Sequence, residues 1–128
     1  MPAYGEIFSL TAANQQFGSV SESVSMSTKT LEDLMTQSPK CLMFKIINGA
    51  IFILNDQRGV IYPAGQSVGD AEVFTMFSKS VIKKLISDGG ESTIYIEQRS
   101  EVLTVTNGSY TMESGVVCPP ICTADDVT

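Results

Sequence analysis

A chain of 128 residues is long enough to bury roughly two-thirds of its unfolded surface in one core, without help from metal or disulfides. Apolar residues make up 43%, which excludes a disordered chain. Fourteen acids against eight bases leave a net charge of −6, a field that repels polyphosphates and anionic membranes, so neither nucleic acid nor membrane is an expected partner.

Charged residues are 17% of the chain, against about 25% in ordinary soluble domains, and the mean hydropathy is slightly positive at +0.14. Part of the surface is therefore covered by uncharged polar residues or buried against another chain. The first basic residue is Lys29, so the amino terminus lacks the charged region of a secretory signal. The apolar runs 42–47 and 50–54 are far shorter than a membrane span. Three cysteines, an odd number, make no disulfide framework, and the cytoplasm is the expected location.

In chain order, Gly5 to Leu10 allows a short strand. Ser19, Ser21, Ser23, Ser25 and Ser27 then alternate with Val20, Glu22, Val24 and Met26. Period-two spacing describes a strand with a hydroxyl-rich outer face, and a flexible leader over residues 1–28 is the alternative. Thr30 caps a short helix carrying Leu31, Leu34 and Met35, with Asp33 in the capping-box position and Ser38-Pro39 closing it.

Residues 42–63 predict a three-stranded meander. Asn48-Gly49 supplies a type I′ turn, residues 56–59 a second turn, and Pro63 the end of the third strand. From Asp70 to Ser87, the apolar stripe Val73, Phe74, Phe77, Val81, Leu85 and Ile86 predicts the main helix. Asp70 is its N-cap, Lys79, Lys83 and Lys84 lie toward its last turn, and Gly89-Gly90 stops it. Strands over 92–98, 102–106 and 109–113 form a second meander turning at Asn107-Gly108. Residues 115–128 read as an irregular tail. The expected fold is one α+β domain over 1–128, with a mainly antiparallel sheet of about five to seven strands. A short amino-terminal helix and one main helix pack on one of its faces.

The residues give little support to catalysis. Histidine, the usual neutral-pH base, is absent. Ser80 with Lys83 or Lys84 has the spacing of a Ser–Lys dyad, but no glycine elbow accompanies it and helix-surface solvation explains all three. Glu97 with Glu101, Glu32 with Asp33, and Asp125 with Asp126 read as solvated acids. Residues 64–70 lack the phosphate-binding lysine and the dinucleotide glycine spacing. Cys118 and Cys122 form a possible disulfide, although inert thiols suit the expected compartment better, and with Cys41 they are too few for a zinc site. Asn107-Gly108-Ser109 matches a glycosylation sequon and reads better as a turn. No cofactor is expected.

From Thr30 to about Met112 the element order, a helix between two groups of strands, is similar to roadblock, longin and profilin-like adaptor domains. It also resembles the secretion-chaperone arrangement, in which an acidic domain dimerises and wraps an unfolded client. The chain departs from both in its amino-terminal region and in lacking a final helix after Glu113, and no functional residue is carried over. The leading expectation is a non-catalytic protein-interaction module, a self-associating adaptor or scaffold/chaperone-like domain whose partner is a second copy or another protein. One alternative is a small-molecule-binding domain whose apolar pocket is lined by Met43, Phe44, Phe52, Phe74, Met76 and Phe77. The other is a structural component of a larger assembly.

Overall fold

The computed structural model describes residues 3–100, 102–113 and 115–118. Three helices and ten strands lie among these residues, in two antiparallel five-stranded sheets, an α+β fold. In chain order they are β1 (Glu6–Ser9), α1 (Leu10–Phe17), β2 (Val20–Ser27), α2 (Thr28–Met35), β3 (Cys41–Ile47), β4 (Ala50–Leu54) and β5 (Val60–Tyr62). There follow β6 (Phe74–Ser78), α3 (Lys79–Gly89), β7 (Thr93–Arg99), β8 (Leu103–Asn107), β9 (Tyr110–Glu113) and β10 (Val116–Cys118). The first sheet runs β1-β9-β8-β7-β2 and the second β10-β6-β3-β4-β5.

The antiparallel α+β character is the one expected, while the strands number ten and divide between two sheets. The division follows from a duplicated unit, strand–helix–three strands, which occurs as β2-α2-β3-β4-β5 and again as β6-α3-β7-β8-β9. Each unit lends its first strand to the other's meander: β2 pairs with β7, and β6 with β3. The registers correspond, Met26 facing Ile94 in one exchange and Phe77 facing Leu42 in the other. A helix does stand between two strand groups, as in the adaptor-like order, but those groups belong to separate sheets.

The segment 70–78 corrects the main helix. Phe74–Ser78 is a strand, and α3 starts at Lys79 with Ser78, not Asp70, as its N-cap. Phe-Thr-Met-Phe satisfies a helical stripe and a pleat equally well. Pairing with β3 on one side and β10 on the other decides for the pleat. Lys79 consequently opens the helix, and its Nζ donates to the Ser38 carbonyl at 2.8 Å. Gly90 ends α3 as expected, at φ 71° with its N–H on the Ile86 carbonyl.

Smaller shifts have similar causes. Ser27 rather than Thr30 caps α2, its Oγ accepting the Thr30 N–H at 3.1 Å. The first thirty residues hold a helix the sequence reading lacks, α1, capped by Ser9. Residues 116–118, expected to be irregular, extend the second sheet as β10.

The main core joins one face of each sheet to α2 and α3. Leu42, Phe44, Ile51 and Ile53 meet Ile94, Ile96, Leu103 and Val105 there, around Leu31, Leu34, Val81, Ile82 and Leu85. The outward faces differ in chemistry. That of the second sheet is apolar, with Cys41, Met43, Leu54, Phe74 and Met76 packed beneath Tyr4 and Val68. That of the first sheet carries Ser23, Ser25, Tyr95, Glu97, Arg99, Thr104, Thr106 and Thr111, alternating with core residues as the pleat requires. The serine-rich outer face is thus a strand property, and α1 covers part of this side, Phe17 meeting Phe8 edge-on at 5.3 Å.

Candidate functional site

Polar networks hold the two outward faces. Arg99 lies in the outward pleat of β7 and is completely buried, its Nη1 donating to Asn14 Oδ1 at 2.9 Å and to the Gly18 carbonyl, its Nε to Thr104 Oγ1 at 3.2 Å. Its Nη2 stands 3.6 Å from Glu97 Oε1, inside ion-pair range but without a hydrogen bond. Glu97 in turn accepts from Thr106 at 2.6 Å. This set ties α1 to the sheet. The sequence signal for it was the alternation of Tyr95, Glu97 and Arg99 with Ile94 and Ile96, which puts opposite charges on one face.

Arg58 performs a similar task on the second sheet. Its guanidinium donates to the carbonyls of Gly69, Glu72 and Cys118 at 3.0–3.2 Å and sits 5.5 Å from the Phe74 ring centroid. Together with the Lys45–Glu72 ion pair at 3.0 Å, it fastens the segment between β5 and β6 over the apolar face. Asp56 accepts from the backbone N–H groups of Lys40 and Cys41 and from Ser38 Oγ, closing the approach to β3.

The residues singled out for chemistry do not assemble into a site. Ser80, Lys83 and Lys84 lie on the exposed side of α3, and Lys84 pairs with Asp88 at 3.0 Å. Glu97 is committed to Arg99 and the threonines, while Glu101 lies outside the described residues, as do Asp125 and Asp126. Cys118, buried at the end of β10, is disulfide-bonded rather than the inert thiol expected, while Cys122, the partner the sequence suggested, lies outside the described residues. Cys41 is a buried free thiol. Among the described residues no three His, Cys, Asp or Glu side chains gather as a metal requires.

The six residues named for an apolar pocket divide between the two faces of the second sheet. Phe44 and Phe77 are in the main core, and Met43, Phe52, Phe74 and Met76 are on the outward side. Two open surface depressions of about 230 and 450 Å³ share Glu91 and Ser92; the smaller is mainly polar, and the larger, bounded by Ser27, Thr28, Glu32 and Ile86, is of mixed character. No helix among the described residues is long and apolar enough to cross a membrane.

What stands out is a sheet edge. Four strands end the two sheets: β1 with four residues, β5 and β10 with three each, and β2 with eight. β1 runs directly into α1, and Pro63 follows β5. β2 likewise runs directly into α2, so what sets it apart among the described edges is its length. It carries one charge, Glu22, and no Lys, Arg or Pro, and its residues from Val20 to Ser23 are exposed. A bulge between Val20 and Glu22 leaves the regular part of the edge over residues 22–27. Such an edge presents unpaired N–H and C=O groups, and proteins ordinarily blunt it with charge, proline or cover. Comparison with known proteins finds no matching family model, no matching curated protein and no matching solved structure.

Proposed function

We propose that this chain is a non-catalytic interaction module of the cytoplasm, an adaptor or scaffold that self-associates by adding a strand to β2. The eight-residue edge, the longest among the described residues and carrying a single charge, carries the reading. A second copy is the occupant, its own β2 lying antiparallel across a two-fold axis. That pairing joins two five-stranded sheets into one of ten, and any register centred near Val24 keeps the two Glu22 carboxylates from facing each other. The serines alternating along this edge suit the arrangement, because small hydroxyl side chains let a neighbouring strand approach without a charge to desolvate. The contact area of one strand pair is at the low end of stable interfaces, below about 1,200 Å², so the dimer is a dilutable one.

The test is sizing of wild-type protein and a Ser23→Lys/Ser25→Lys variant at two concentrations. Both serines are exposed and point away from the core, so the substitutions leave folding intact. Wild type shifts toward dimer on concentration, and the variant stays monomeric because its lysines face lysines across the axis. A wild-type protein monomeric throughout, or a variant that dimerises equally well, rejects the proposal. Growth without limit, beyond a dimer, instead favours a component of a larger assembly, since a strand contact that does not close propagates.

A further inference from the structure

Two Asn-Gly pairs sit at hairpin corners, and the structure treats them in opposite ways. At the β3–β4 corner both Asn48 and Gly49 are turn residues, with φ of 52° and 80°, between the paired Ile47 and Ala50. At the β8–β9 corner the frame is displaced by one residue. Asn107 is still in the ladder opposite Tyr110, and Gly108 and Ser109 make the turn, with positive φ at Gly108 (60°) but not at Ser109. The first pattern is that of a type I′ turn and the second that of a type II′ turn.

The side chains follow. Asn107 is wholly buried, its Oδ1 accepting the Glu91 N–H at 2.9 Å and its Nδ2 donating to the Glu91 carbonyl at 3.2 Å. Gly108 is at the surface but lies close against Gly89, since a Cβ there would fall 2.9 Å from the Gly89 carbonyl oxygen. Of the remaining asparagines, Asn14 is held by Arg99, and Asn55 accepts from the N–H groups of Gln57 and Gly59. Asn48 is exposed, and its carboxamide makes no hydrogen bond among the described residues. A Cβ on Gly49 would meet nothing closer than Glu22 Oε2 at 4.0 Å.

We infer that Asn48 is a site of spontaneous deamidation and that the fold itself spares Asn107. At Asn48 the Gly49 nitrogen attacks the side-chain carbonyl carbon, giving up its proton to solvent base. A new C–N bond closes the five-membered imide, and the former amide nitrogen leaves as ammonia. Water then adds to either imide carbonyl, giving aspartate or isoaspartate. No oxidant or enzyme enters the balance. Asn107 meets the same sequence requirement, but its carboxamide must first break both bonds to Glu91. The conformers able to react are then fewer by about tenfold or more. The product places a new carboxylate in the corner beside Glu22, next to the exposed edge.

The experiment is incubation of the full chain at mildly alkaline pH, followed by tryptic digestion and mass analysis. The peptide from Ile46 to Arg58 reports Asn48, and the one beginning at Ser100 reports Asn107. In native protein the Asn48 peptide converts at least about tenfold faster than the Asn107 peptide, whereas in concentrated urea the two rates converge. The Asn48→Gln variant abolishes the first conversion and leaves the second unchanged. Equal native rates at the two sites, or an Asn48 that is inert while the chain is folded, would overturn the inference.

Discussion

At the scale of single residues, Cys41 shows how burial alters chemistry without creating a site. Desolvation first, and the negative charge of Asp56 second, push its thiol up from 9.0 to about 12. The thiolate that a nucleophile would need is thereby suppressed. The consequence for stability has a definite sign. The unfolded chain gives up this proton near 9 while the folded chain keeps it to about 12. The contribution is therefore fully present below pH 9 and is lost as the pH rises through that window. Urea midpoints measured at about pH 8 and again near pH 10.5 will fall more steeply for wild type than for Cys41→Ala, the difference isolating this group from the tyrosines and lysines. Arg99 is the second instructive residue. Its charge tolerates complete burial because Asn14, Gly18, Thr104 and Glu97 surround it.

At the scale of elements, caps and corners decide where helices and strands begin. Ser27 ends β2 and caps α2, whereas its counterpart Ser78 ends β6 at the start of α3. The Ser78 hydroxyl accepts no helix N–H and instead takes the Tyr4 N–H at 2.6 Å, tying the amino-terminal segment to the second unit. Equivalent serines thus do different work. Ser27→Ala will cost about 1 kcal/mol in urea unfolding, the ordinary loss for one cap, and a neutral result would show that the strand exchange alone fixes the start of α2.

At the scale of the whole molecule, the duplicated unit has a clear mechanical result. Exchange of first strands between the two meanders makes each sheet depend on both halves of the chain, with β2 and β6 pairing across the sequence. The same exchange puts β2 on an edge, whereas β6 is covered by β10. The self-association proposed at that edge would bring together two chains of net charge −6 each. Raising the salt from about 0.05 to about 0.5 M shortens the screening length severalfold and weakens their repulsion, so the dimer fraction measured by sizing will rise with salt. A dimer that instead falls apart in salt points to an interface held by opposite charges, which the serine-rich edge does not offer.

The meander from Cys41 to Tyr62 was legible in the sequence because it is local: Asn48-Gly49 dictates its own turn, and the flanking apolar runs have nowhere to go but the core. The serine alternation before α2 was legible for the same reason, and so was the stop at Gly90. Among the candidate site features, an open edge is something any open sheet offers. Its identity as β2 was not legible, because edge status depends on which strands fail to find a second neighbour. Phe74–Ser78 makes the same point. Its residues fit helix and strand alike, and partners more than thirty positions away in β3 and β10 made the choice. The composition and short-range patterns of this chain determine its class, its corners and the apolar or polar character of each strand face. Long-range pairing, whose free energy no local segment contains, decided the division into two sheets, the burial of Arg99 and the edge left open.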